Sequence, residues 1–110
     1  MATDAPVTVI CQYRVRPGTE EAFLGLLRRH WPTLSALGVV TDEPARAYRG
    51  ADEKGRPVYY EIFAWRSDAA FERAHSHPEV LGIWEPMDTL CEAREGRPSM
   101  EFPHVRPLAL

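Results

Sequence analysis

Of the four histidines in this chain, His75 is the one best suited to moving a proton, together with a glutamate, Glu61, set inside an aromatic run. Glu61 alternates with Tyr59, Phe63 and Trp65, so in a strand the four share one face. If that face meets helices, the carboxylate sits among rings, where burial disfavours its charged form and fits it to act as a general base toward an acidic phenol. The alternatives are a structural ion pair with Arg28, Arg29 or Arg94, or a wet strand edge. His75 lies four residues after Phe71 at the rim of a helical apolar side. An imidazole there suits proton transfer or a hydrogen bond to a substrate oxygen, or else an interaction with the last carbonyls of its helix. His77, before Pro78, reads as a loop residue. Two residues apart on a helix, His75 and His77 do not face one site, so no metal is expected.

Trp65, Phe63, Tyr13 and Trp84 fit the wall of an aromatic-binding cavity, which needs an apolar lining and a few polar groups; each also fits plain core packing. His104 could enter the same cavity, with Pro103 beside it leaving its face open. Trp31 beside Pro32 reads as structural. Cys11 and Cys91 are too few and too far apart for a disulfide framework or a metal site. Cys11, inside an apolar strand pattern, reads as a small buried hydrophobe.

The elements that must position these groups follow from periodicity. Residues 7 to 15 alternate between Val7, Val9, Cys11, Tyr13, Val15 and Thr8, Ile10, Gln12, Arg14, which predicts a strand. Pro17-Gly18-Thr19 ends it, Gly18 or Thr19 caps the helix that follows, and Glu20 and Glu21 suit that helix's positive end. Ala22, Phe23, Leu26, Leu27, His30, Trp31, Leu34 and Leu37 recur at three and four, a stripe facing a core. Pro32 predicts a kink or break, and Gly38 closes the helix. Val39 to Arg49 reads as an edge strand interrupted by Pro44, and Gly50 to Arg56 as a polar hairpin loop. Val58 to Trp65 is the strongest strand. Ser67 and Asp68 open a second helix, His77-Pro78 interrupts it, and Glu79 to Leu90 continues helical. After a turn at Gly96-Arg97-Pro98, Met100 to Val105 reads as an edge or bulged strand because of Pro103. The order β-α-β-β-α-β predicts an α+β, ferredoxin-like antiparallel sheet with its helices on one face.

At 110 residues the chain reads as a single domain spanning 1–110, with one modest core. The hydrophobic content of 45 %, charged content of 26 % and net charge of −3 describe an ordinary globule without the basic footprint of a nucleic-acid binder. No apolar run approaches the roughly 20 residues needed to span a bilayer, and Met1 to Pro6 has neither a basic nor an apolar leader region. The expectation is a cytoplasmic protein with no membrane or nucleic-acid partner.

Two helices cover only one sheet face, yet Ile10, Val58, Tyr60, Ile62 and Ala64 make the other face apolar as well. Leaving them in water would forgo roughly 1.5–3 kcal/mol per large side chain. Such a face on a small protein marks an interface, and the expectation is a two-fold homodimer packed sheet to sheet.

The stretch Ile62-Phe63-Ala64-Trp65-Arg66-Ser67-Asp68-Ala69-Ala70-Phe71, then Ala74-His75 and His77-Pro78-Glu79-Val80, resembles the dimeric α+β-barrel group, and within it the antibiotic-biosynthesis-monooxygenase family. The opening strand running into Arg16-Pro17-Gly18-Thr19 is similar too, so the likeness spans about Val7 to Val105. The resemblance implies a pocket between sheet and helices, and in active members oxygenation of phenolic or quinol-like aromatics without metal or flavin. Quinone-forming members place Asn four residues before the strand-end Trp, where this chain has Glu61; their later-helix Arg falls near Glu85. A haem-degrading branch uses an Asn-Trp-His set, but its Trp corresponds to His75 and its axial His again falls near Glu85.

The leading expectation is therefore a cofactor-independent monooxygenase acting on a small aromatic or polyketide-like substrate. Glu61 and His75 would be its catalytic groups, and Trp65, Phe63, Tyr13, Trp84 and His104 would bind the substrate. An isomerase, lyase or dehydratase using the same two groups, and a non-enzymatic small-molecule-binding module, are the competing readings.

Overall fold

Alternating burial along the first strand fixes which side of the sheet becomes the core. In the structure, a computed structural model describing residues 5–110, strand β1 (Val7–Tyr13) buries Val7, Val9, Cys11 and Tyr13 and leaves Thr8, Ile10 and Gln12 half-covered. Met1 to Asp4, assigned above to the same domain and to the leaderless start, lie outside the described residues. Helix α1 (Glu20–Ala36) returns the chain and buries Phe23, Leu27, His30 and Leu34, a stripe at helical spacing. Strands β2 (Arg46–Ala51) and β3 (Pro57–Trp65) form a hairpin, helices α2 (Asp68–His75) and α3 (Pro78–Thr89) follow, and β4 (Met100–Glu101) and β5 (His104–Val105) complete the sheet. The strand order is β2-β3-β1-β4, with β5 also on β1, and every pairing is antiparallel. This is the ferredoxin-like arrangement, with its last strand in two pieces.

The register places chemistry. β1 and β3 pair from Val7↔Trp65 to Tyr13↔Tyr59, so Cys11 stands opposite Glu61. Their core-facing residues and the buried stripes of all three helices form one hydrophobic cluster. Among the described residues no helix is long and apolar enough to cross a membrane.

Local chemistry explains most boundaries. Ser67 caps α2, its Oγ accepting from Ala70 N at 3.1 Å. His77 is not a free loop residue: its Nδ1 accepts from Glu79 N at 3.2 Å, capping α3, and Pro78 takes the first-turn position where a missing N–H costs nothing. Gly38, at φ +72°, ends α1 in the left-handed conformation that glycine adopts without strain.

Three expectations need correction. Pro32 does not break α1, which runs unbroken for 17 residues. Arg28 and Pro32 are both exposed, so water can take the bond the proline forfeits, while His30 and Leu34 on the opposite side hold the helix in the core. The second strand starts at Arg46 rather than Val39, with a lone bridge Val40↔Trp65 before the Pro44 loop, and it runs on to Ala51; it does lie at the sheet edge. The last strand is parted at Pro103, which has no N–H to give the ladder; its carbonyl still accepts from Ile10 N at 3.1 Å.

Candidate active site

Aromatic side chains from the sheet and the helices leave a gap where they meet. It is a cavity of about 150 Å³, floored by Val9, Cys11 and Phe63, with His30 from α1, Trp65 from β3, Phe71 and His75 from α2, and Trp84 from α3 around it. Met100, Phe102 and His104, from the β4–β5 segment, close the remaining side. The wall is built of rings packed edge-on: Trp65 stands 5.2 Å from Phe63, 5.3 Å from Phe71 and 6.4 Å from Trp84 between centroids. His75 and His104 flank Phe71 at 4.4 and 4.7 Å. His30 and Trp65 are buried, whereas His75, Phe102 and His104 are exposed, so the cavity has a buried end and a solvent end.

One hydrogen-bonded chain crosses the buried end. Trp84 Nε1 donates to His30 Nε2 at 2.8 Å, His30 Nδ1 meets Glu61 Oε1 at 2.8 Å, and Tyr13 OH donates to the same Oε1 at 2.8 Å. An indole N–H can only donate, so His30 Nε2 is the acceptor and the ring hydrogen sits on Nδ1, directed at Glu61. Burial, then the nearby Cys11 and Glu61, pushes the Tyr13 hydroxyl far above its ordinary range, which keeps it a donor. Burial and then the Glu61 charge likewise raise the Cys11 thiol, so this cavity cysteine stays protonated and unreactive. Burial pushes the Cys91 thiol up to about 12. The indole N–H of Trp65 is buried without a partner.

The structure gathers Trp65, Phe63, Trp84, His75 and His104 around one cavity. The pairing Val9↔His104 settles the face that Pro103 left open, because Val9 points into the core. Two residues are placed differently from expectation. Glu61 is 2 % exposed and outside the cavity lining, with its Oε1 occupied by two donors, so it cannot meet a substrate directly. It pairs with His30 and Tyr13, not with Arg28, Arg29 or Arg94. Tyr13 is 1 % exposed and turns its hydroxyl to Glu61 instead of lining the cavity. The residue that sequence reasoning passed over is His30, taken as one more member of the α1 stripe. Its signal was present: a polar ring at a buried helical position must find partners. Among the described residues, no group of three or more His, Cys, Asp or Glu is placed to hold a metal ion.

Comparison with solved structures gives the fold independent support. A point variant of SnoaB, a cofactor-independent oxygenase from Streptomyces nogalater, superposes with a TM-score of 0.71 at 18 % identity, covering 96 % of this chain and 95 % of that one. PA3566 from Pseudomonas aeruginosa gives 0.72 at 21 % identity, covering 97 % and 98 %. A structure described as an antibiotic biosynthesis monooxygenase gives 0.72 at 13 % identity, covering 94 % and 99 %. At such identities the likeness establishes the fold, over nearly the whole length of each chain. No protein-family model matches the sequence, and no curated protein matches it.

Proposed function

We propose that this chain is a cofactor-independent monooxygenase for a small aromatic substrate that can lose a proton. The observation carrying the reading is an imidazole in the wall of an aromatic cavity, held on its far side by a buried carboxylate. A phenolic hydroxyl that took the place of the Trp84 N–H would donate to His30 Nε2, and Glu61 would stabilise the imidazolium formed on proton transfer. Glu61 is then a positioning residue acting through His30, and His75 and His104 are polar contacts at the solvent end.

The substrate anion supplies the electrons. A hydroquinone and one O₂ give a hydroxyquinone and one water: one oxygen atom enters the ring, the other leaves with two substrate hydrogens. Likeness of fold to SnoaB, itself a cofactor-independent oxygenase, supports the reading. The test is oxygen consumption over a panel of phenols and hydroquinones, with mass analysis of products. Uptake matched to a product that gains one oxygen and loses two hydrogens is expected. No uptake across the panel, or turnover under strict anaerobiosis, overturns the reading.

We also propose that two chains associate through the sheet face opposite the helices. Ile10, Tyr60, Ile62 and Ala64 are only half-covered there, and Tyr48 beside them is 52 % exposed. Val58, expected on the same surface, is 3 % exposed within the chain and is not available to a partner. Sedimentation at twice the 12.5 kDa chain mass is expected at micromolar concentration, and a stable single-chain particle overturns it.

A further inference from the structure

We infer that the cavity is gauged to one aromatic ring carrying oxygens at opposite ends, so that the substrate class is monocyclic hydroquinones and fused-ring compounds are excluded. The inference rests on the proposed function for the chemistry, but on dimensions and polarity for the selection.

Size comes first. An engineered apolar cavity of roughly 150 Å³ takes up a benzene molecule, and this one measures about 150 Å³. Pockets for drug-sized ligands begin at roughly twice that, about 300 Å³. Apart from Trp84, whose N–H the substrate hydroxyl displaces, the walls are not free to yield. Trp65 is wedged edge-on against Phe63 and Phe71, and Val9, Cys11 and Phe63 are fixed by the β1–β3 register. Close-packed interiors of this kind resist expansion. A second fused ring would have to displace Phe71 or Phe102 from the solvent end.

Polarity then sets the substitution pattern. The lining is apolar apart from its imidazoles, the Trp84 N–H bonded to one of them and the shielded thiol of Cys11. His30 is at the buried end, while His75 and His104, both packed on Phe71, are at the solvent end. A single ring that gives one hydroxyl to His30 therefore has its opposite edge among the other two. Hydrogen-bonding groups at both ends favour an oxygen at both ends, because a bare ring edge would displace water from the exposed imidazoles without replacing its hydrogen bonds.

The test is anaerobic binding, read by tryptophan fluorescence and thermal shift, for hydroquinone, phenol, 1,4-dihydroxynaphthalene and a three-ring anthrone. Hydroquinone is expected to bind roughly tenfold or more tighter than the two-ring diol, with phenol between them and the anthrone not bound. Phe102→Ala removes a ring that is 43 % exposed, so the fold survives, and it should close or reverse the gap between one and two rings. Equal or tighter binding of the fused diol to the unaltered protein, a gap untouched by Phe102→Ala, or no binding by any of the four overturns the inference. The two readings fail separately. Hydroquinone binding without oxygen uptake keeps the size selection and removes the monooxygenase, whereas oxygen uptake with fused rings alone does the reverse.

Discussion

Arg94 and the His30–Glu61 pair are both buried polar groups, yet their networks end differently. Every nitrogen of the Arg94 guanidinium is taken by the protein: Nη2 by Val15 O at 2.6 Å, Nη1 by Pro57 O at 3.0 Å and Asp52 at 3.2 Å, and Nε by Glu92 at 3.0 Å. It ties the end of β1, the β2–β3 hairpin and the segment after α3 into one knot. The His30 network is satisfied on its inner side by Glu61 and Tyr13, but its outer link is Trp84, a half-buried ring in the cavity wall. In the proposed function that single link is the one a substrate hydroxyl exchanges. Buried polarity alone does not mark a site; a network whose last bond faces a cavity does.

The largest effect separating the two clusters is expected from Arg94→Ala. It leaves the Val15 and Pro57 carbonyls without this donor and takes one partner each from Asp52 and Glu92, and should cost about 3 kcal/mol in chemical denaturation, while turnover per folded molecule stays unchanged. Glu61→Gln should show the opposite balance. Folding loses only about 1–2 kcal/mol because shape and one acceptor oxygen remain, but turnover falls roughly a hundredfold or more as His30 loses its orienting charge. If the two variants lower activity per folded molecule equally, the contrast is broken. Tyr13→Phe removes one donor from Glu61 and should cost about 1 kcal/mol, with a turnover loss well below that of Glu61→Gln.

The smallest expected difference is in acid. Around Asp52, burial favours the protonated form, but N–H groups of Arg56 and Lys54 and the Arg56 guanidinium outweigh it and hold the carboxyl below its usual 3.8. Glu95, bonded first by Arg56 and then by Lys54, is held below 4.5. A depressed carboxylate contributes stability above its unfolded value and loses it as pH falls through the lower folded one. The hairpin around Arg94 should therefore loosen only below about pH 4, read as amide exchange at residues 52–56. Loosening that begins near neutrality would contradict these ion pairs.

Much of the fold was legible because its signals are local. Alternation named β1 and β3, the spacing of Phe23, Leu27 and Leu34 named α1, and Ser67 and Pro78 placed two helix starts. Where local signals misled, a tertiary gain had overridden them: Pro32 stays inside a helix because the residues on its far side are held in the core. The cavity wall was half-legible, since Phe63 and Trp65 share a strand face that any reading of period two would find. The network behind it was not. His30 and Glu61 are 31 positions apart, and nothing in either neighbourhood announces the other.

The sequence by itself settled the element order, the face of the central strands that turns inward and the aromatic character of what it meets, because these depend on spacing within a few residues. Tertiary structure alone decided that Glu61 serves a histidine instead of a substrate, that Tyr13 points away from the cavity, and that His104 swings toward it through its pairing with Val9. Those outcomes rest on which donor reaches which acceptor across the sheet. Hydrogen bonds of 2.8 Å are set by register and helix rotation, which only the packed whole determines.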